Sequence, residues 1–246
     1  MSPDALSQLA DRILAARRSG TRISLLPDGA PASVAAAFAI QDRVFAGLGC
    51  EIAGYKVNEM PDGEVVFAPI PSNGVVPAGG TWAVTGPEPA GIELEIAFRM
   101  ARDVPADASP SEVMAAVDSA NVVFELCQSR LADPDHLPQV VKLADCVLNS
   151  GIVVGRAIAG WKAIELKGVV GRLIVDGRAL KDGKSADPIR ALQILPQALA
   201  RRGHTLKAGQ TVITGSLIGM NWLDGDHELT GVIDGCGEVA MRVARA

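Results

Sequence analysis

The 246-residue chain is predicted to be α+β, with strands outnumbering helices. Three observations lead there. Apolar residues alternate with polar ones over Ile92–Arg99 and again over Val122–Cys127, the period of two that marks a strand. The short apolar runs are joined by hairpin-type turns such as Asp176-Gly177 and Asp234-Gly235, not by regular helical crossovers. That argues against a doubly wound or barrel α/β fold. Two of the four helical stretches fall in the first fifty residues, so residues 1–50 read as a small N-terminal helical unit and 51–246 as the core.

Each element has a local signal. Ser2-Pro3 is an N-cap followed by Pro at the first helical position, and Gly20 is a stop. Pro27-Asp28-Gly29 reads as a turn. A second helix is expected from about Ser33 to Leu48, ended by Gly49. Gly54-Tyr55-Lys56-Val57 is a short β-like run, followed by a polar loop over 58–63 and an apolar run over Val65–Ile70. Ser109-Pro110-Ser111-Glu112 is a capping box opening a short helix through Val117. A turn over Lys142–Gly151 precedes a strand at Ile152–Val154. Val169–Arg178 reads as a hairpin, and Asp187-Pro188 opens a helix ending at Gly203. Thr211–Ser216 is a strand running into a glycine break, and Gly231–Val243 a final hairpin.

Composition narrows the function classes. With 48% hydrophobic and 21% charged residues the chain can bury a sizeable core. A net charge of −5 and the lack of a basic patch argue against nucleic acid or an anionic membrane as partner. No apolar run reaches membrane-spanning length, and the N-terminus lacks a signal-peptide pattern. Cys50, Cys127, Cys146 and Cys236 are scattered with no CxxC pair, which fits buried free thiols in a reducing cytoplasm. There is no Walker loop, nucleophile elbow or dinucleotide fingerprint, and His136, His204 and His227 show no metal-ligand spacing.

The chemistry therefore falls to carboxylates. Glu93 and Glu95 leave one face of their strand, with Cα atoms roughly 6.5–7 Å apart. Two such carboxylates need water, a basic neighbour such as Arg99, or a cation. Glu125 is a third mid-strand glutamate. One reading is a sheet with a wet face. The other is a single hard-cation site of the Mg²⁺ or Mn²⁺ class, able to chelate an oxyacid and polarise its carbonyl. Lys56 is likewise either a solvated strand-end lysine or an acid/base near that site.

Several stretches, taken in order, resemble the fumarylacetoacetate hydrolase superfamily, and most closely its 2-keto-4-pentenoate hydratase and 4-oxalocrotonate decarboxylase branch. They are Phe38-Ala39-Ile40-Gln41, Gly54-Tyr55-Lys56-Val57, Glu93-Leu94-Glu95 with Glu125, Ala144-Asp145 with Asn149-Ser150-Gly151, Val153-Val154-Gly155, and Thr214-Gly215-Ser216. The resemblance implies a mixed β-roll with flanking helices and an Mg²⁺ or Mn²⁺ ion on Glu93, Glu95 and Glu125. It further implies a catalytic Lys56, and a small 2-oxo acid substrate bordered by Asp145, Asn149, Thr214 and Ser216. A cytoplasmic homo-oligomer is expected, with a partner hydratase or decarboxylase subunit as a further possibility. The expected reaction is hydration of a 2-hydroxy-2,4-dienoate to a 4-hydroxy-2-oxo acid. Decarboxylation of a 2-oxo-enedioate comes second and acylpyruvate hydrolysis third, and a non-catalytic partner subunit is the reading from another class. The chain departs from the family at two points. The loop acid before a Phe-Gly is absent or replaced by Asp62 or Glu64, and Cys146 stands where Asn is common.

Overall fold

The computed structural model describes residues 2–24, 29–60 and 62–246. Helix α1 (Pro3–Ser19) starts where the Ser2 hydroxyl accepts from the Ala5 N–H, and ends at Gly20 in the left-handed region. Helix α2 (Val34–Leu48) is capped in the same way by Ser33 and stopped by Gly49. The turn expected at 27–29 lies, apart from Gly29, outside the described residues. Strands β1 (Ile52–Glu59), β2 (Val65–Pro71), β3 (Val75–Pro77), β4 (Thr81–Val84) and β5 (Ala90–Met100) follow. Helix α3 (Pro110–Ala115) carries the expected capping box on Ser109 and Glu112 but ends before Val117, which already belongs to β6 (Val117–Cys127).

After β6 come α4 (Gln139–Ala144), β7 (Asn149–Ala157), β8 (Val170–Val175) and β9 (Arg178–Lys184). Helix α5 (Pro188–Ala200) starts on Asp187 and ends three residues before Gly203, because the chain tightens there into a turn in which the His204 N–H returns to the Leu199 carbonyl. Strands β10 (Thr211–Ser216), β11 (Asn221–Leu223), β12 (His227–Ile233) and β13 (Gly237–Arg245) close the chain. The short strands β3, β4 and β11 carry too few residues to show a period, and the sequence reading missed them.

Two sheets result. The first runs β2-β1-β10-β5-β6-β7-β3, with β11 also on β5, and the second runs β4-β13-β12-β8-β9. Most neighbours are antiparallel; β1–β10, β3–β7 and β4–β13 are parallel. Gly54 permits the β1–β10 approach, since a Cβ there would lie 1.8 Å from the Thr211 carbonyl oxygen. The first sheet curls on itself: β2 touches β7 although four strands lie between them in the sheet. This is the mixed β-roll that the family resemblance implies.

Nearly all of β5 is buried, so the wet-face reading fails. Its two faces meet different surroundings. Leu94 and Phe124 face the second sheet, within reach of Gly231, and join the main apolar core. That core also takes in Ile13 of α1 and Phe38 and Ile40 of α2. The opposite face of β5 and β6 looks into the curl of the first sheet, where Ile70, Ala97, Val123, Ile152 and Ile213 form a small separate cluster. Glu93, Glu95 and Glu125 share that inner face by the period of two. Each buried aliphatic side chain in these clusters contributes about 1.5–3 kcal/mol, which offsets the cost of carrying charge beside them.

Candidate active site

The acids meet because β5 and β6 pair with Glu93 opposite Glu125. Across the curl, β1 brings Lys56 to the same place. Its Nζ lies 2.8 Å from Glu93 Oε2, hydrogen-bonds Glu125 Oε2 directly, and stands 3.9 Å from Glu95 Oε1. Glu95 and Glu125 have no exposed surface and Lys56 only 5%, so the lysine is not a solvated strand end. Arg99, offered by the sequence as one of three ways to balance the pair, is exposed and takes no part.

One ammonium faces three carboxylates, and the protonation balance follows from that. Burial alone would lower the Lys56 pKa, but Glu125, Glu93 and Glu95 together raise it well above its ordinary value. Burial, reinforced by the neighbouring carboxylates, holds Glu125 well above the usual range and Glu95 above it. Glu93 is also pushed up by burial, but the Lys56 charge and hydrogen bond outweigh this and bring it down. The cluster is short of positive charge.

The remaining contacts fix two of the acids. The Gly215 N–H donates to Glu95 Oε2 at 2.7 Å, from a backbone with φ 111° that a glycine adopts freely. The Asn149 amide donates to Glu125 Oε1 at 2.8 Å. Glu95 Oε1 is buried and lacks a hydrogen-bond partner. A surplus of buried carboxylate with an orphaned oxygen fits a hard divalent cation, and Glu93, Glu95 and Glu125 are the residues that would hold it. A second grouping also closes: Glu93, Glu125 and Cys127 place ligand atoms within 4.8 Å of one another. Burial and the adjacent Glu125 push the Cys127 thiol well up, keeping it protonated, so the oxygen set suits a hard ion better.

A cavity of about 430 Å³ opens onto this cluster, within the roughly 300–1,000 Å³ usual for small-molecule sites. Lys56, Glu93 and Ser216 line it, with Met60, Val66 and Met220 supplying apolar wall. Of the four residues expected to border substrate, only Ser216 is on this wall. Thr214 turns its hydroxyl to the Ile96 carbonyl, and Asn149 turns its amide to Glu125. Between Thr214 and Ser216, the Gly215 N–H is taken by Glu95. Neither Asp62 nor Glu64 lines the cavity; Asp62 accepts from the Glu64 N–H within its own loop. None of the three histidines lines it either.

Asp145 lies behind the wall. Its carboxylate accepts from the Arg130 N–H at 2.9 Å and pairs with Arg17 of α1 at 3.2 Å. Arg17 also bonds the Asn149 carbonyl, and Arg130 the Leu148 carbonyl and the Ser150 hydroxyl. Burial, then the nearby Arg17, bring the Arg130 pKa down to about 10. Between these anchors Cys146, Val147 and Leu148 all have φ between 51° and 66°. Left-handed backbone in non-glycine residues costs of order 1–3 kcal/mol each. Val147 and Leu148 line the cavity as a result. Sequence reasoning found neither arginine, because nothing local ties Arg17 to a turn 130 residues away.

No family model matches the chain. It is 29% identical over 166 residues to the 4-oxalocrotonate decarboxylase of a Pseudomonas species, a match covering 65% of this chain and 63% of that enzyme. It is 27% identical over 261 aligned positions to the 2-keto-4-pentenoate hydratase of Burkholderia vietnamiensis (strain G4 / LMG 22486), covering 97% of this chain and 98% of that one. The structure superimposes on the Pseudomonas putida G7 4-oxalocrotonate decarboxylase, solved with magnesium and adipate, with a TM-score of 0.86 over 99% of this chain and 98% of that chain at 19% identity. The fold is fumarylacetoacetate hydrolase-like. The resemblance to the hydratase and decarboxylase branch of that superfamily is borne out. A more distant neighbour is the Pseudomonas aeruginosa fumarylpyruvate hydrolase with Mn²⁺ and pyruvate, at TM-score 0.58 and 16% identity over 78% of this chain and 89% of that chain.

Proposed function

We propose that the chain is a metal-dependent lyase acting on 2-oxo or 2-hydroxy-dienoic acids, with hydration of a 2-hydroxy-2,4-dienoate to a 4-hydroxy-2-oxo acid as its reaction. The observation that carries the reading is the buried Lys56–Glu93–Glu95–Glu125 cluster opening on a cavity of substrate size. A divalent cation, Mg²⁺ or Mn²⁺, would supply Lewis-acid stabilisation of negative charge on the substrate's 2-oxygen. Glu93, Glu95 and Glu125 would hold it, Gly215 and Asn149 fix two of those carboxylates, and Met60, Val66 and Met220 give the hydrocarbon chain an apolar wall.

Lys56 carries the proton. In the metal-free cluster the three glutamates raise its pKa, and Nζ as an ammonium can donate to the dienol carbon during ketonisation and clamp the anion electrostatically. The proton released from the 2-hydroxyl restores the ammonium, and water then adds across C3 and C4 of the resulting 2-oxo-3-enoate, its hydroxyl going to C4 and its proton to C3. The same groups serve decarboxylation of a 2-oxo-enedioate, where Lys56 returns a proton to the carbon that has lost CO₂. Both reactions build charge on the 2-oxygen, so one acid cluster supports either. A homo-oligomer belongs to the same proposal and rests on the family resemblance; sedimentation velocity reads it directly.

Incubation of the purified chain and Mg²⁺ with a panel of 2-hydroxydienoic, 2-oxo-enedioic and acylpyruvic acids, with products identified by NMR, tests the reading. A 4-hydroxy-2-oxo acid product supports it. Turnover that survives thorough chelation, or no turnover of any member, rejects it.

A further inference from the structure

Four charged residues line the cavity: Lys56, Glu59, Glu93 and Lys142. Three of them are paired. Lys56 and Glu93 hold each other at 2.8 Å, and Glu59 is held in bidentate fashion by Arg190 at 2.7 and 3.2 Å. Among the described residues Lys142 alone of the four has no carboxylate within salt-bridge distance and no side-chain hydrogen bond. It lies in the last turn of α4, three residues after Gln139, which lines the same cavity, so both stand on one helix face. Lys142 is half-buried, and its ammonium has no protein partner among the described residues. The blander reading is a helix-end cation. That role is small here, because α4 is only six residues long and the Asp145 N–H already takes the Lys142 carbonyl.

We infer that Lys142 is a specificity-determining residue that receives a second carboxylate at the end of the substrate remote from its 2-oxo acid group. The inference rests on the 2-oxo acid reading above. With the 2-oxo acid end committed to the acid cluster, Met60, Val66, Val147 and Met220 leave apolar wall in the same cavity, which suits a hydrocarbon chain. The polar pair Gln139 and Lys142 then offers hydrogen-bond donors to a terminal anion. A charge-assisted bond from an ammonium is about twice as strong as a neutral one. The favoured substrates are linear diacids of the 2-oxo or 2-hydroxydienoic class, ahead of the corresponding monoacids.

Calorimetric titration with Mg²⁺ saturating tests this with two unreactive acids of equal length, 2-oxoadipate and 2-oxohexanoate. Wild type is expected to prefer the diacid by about tenfold, the order of one partly exposed charge-assisted bond. Lys142→Gln should erase that preference and Lys142→Arg should keep it. Monoacid affinity should be the same in all three, which also shows that the variants are folded. A diacid preference that persists in Lys142→Gln, or is absent from wild type while the monoacid binds, overturns the inference and leaves the 2-oxo acid reading standing. Binding of neither acid overturns both.

Discussion

Two buried charge clusters lie on either side of Asn149, and they are built with opposite imbalance. On the cavity side, three carboxylates surround one ammonium. Behind the wall, Arg17 and Arg130 surround the single carboxylate of Asp145. The surplus positive charge of the second cluster is absorbed within the protein, because the carbonyls of Asp145, Leu148 and Asn149 accept from the two guanidinium groups. The surplus negative charge of the first is not absorbed, since among the described residues Lys56 is the one cation within salt-bridge distance of Glu93, Glu95 and Glu125. A buried cluster completed by backbone carbonyls is structural. One left short of cations beside a cavity is equipped to bind one.

The largest effect that would sharpen this comparison is on metal binding. Glu95→Gln keeps an oxygen for the Gly215 N–H and removes one negative charge. Affinity for Mg²⁺ should fall by more than about 100-fold, beyond the range of an outer-shell change. The metal-free protein should melt no lower than wild type, because a like-charge repulsion is relieved. Unchanged affinity by titration calorimetry would break the assignment. The same imbalance sets a pH dependence. Glu95 and Glu125, held up by burial and each other's charge, contribute stability below the unfolded carboxylate value that is lost as pH rises through their raised values. Glu93, whose pKa lies below the ordinary value, runs the opposite way. A bound cation cancels the repulsion, so the rise in Tm on adding Mg²⁺ should grow from pH 5 to pH 8. A rise that shrinks over that interval contradicts the picture.

Next in size is the proton carrier. Lys56→Ala should lower kcat by about 10²–10⁴-fold, the usual contribution of a positioned acid or base. Metal affinity should not fall, since the ammonium competes with the cation for the same carboxylates. Steady-state kinetics with metal saturating, run beside Lys56→Arg, separates loss of proton transfer from loss of charge. A kcat near wild type in both variants would leave the mechanism without its proton carrier.

The second cluster should respond differently. Arg17→Met removes one partner of a buried ion pair and three hydrogen bonds to the Asp145 and Asn149 carbonyls, and should destabilise the protein by about 3 kcal/mol. It also frees the left-handed run at 146–148 from one of its anchors. Urea unfolding checks the stability. A Kd for Mg²⁺ within a few-fold of wild type, measured on the folded variant, would keep the two clusters functionally distinct; a loss matching Glu95→Gln would merge them.

Legibility followed the length scale of each feature. The glutamate strands, the serine caps and the Asp176-Gly177 turn were readable because period, cap and turn chemistry are local. Glu93, Glu95, Glu125 and Lys56 were identifiable as candidates, but their distances required the curl of the sheet. Asp145 and Thr214 were placed at the substrate by resemblance, and their contacts lie with Arg17, Arg130 and the Ile96 carbonyl instead. The run at Cys146–Leu148 contains no glycine, so no residue type announced its left-handed backbone. Tertiary contacts impose that conformation, and only coordinates reveal them.

The smallest expected effect tests the hinge between the clusters. Asn149 has its side-chain amide on Glu125 and its carbonyl on Arg17. Asn149→Ala removes the first contact and a longer bond from the same amide to the Gly151 carbonyl at 3.4 Å. The backbone clamp remains, so the unfolding midpoint should move far less than in Arg17→Met. Glu125 Oε1 loses a donor and its carboxylate is no longer oriented, which should weaken Mg²⁺ binding by about 10–100-fold. Asn149→Asp would place a fourth acid against Glu125 and should weaken the metal-free fold further, with Mg²⁺ restoring part of the loss. Paired calorimetry and urea titration on the two variants give the decisive pattern. If Asn149→Ala lowers stability as much as Arg17→Met while metal affinity holds, Asn149 belongs to the structural cluster alone, and the acid cluster stands without its support.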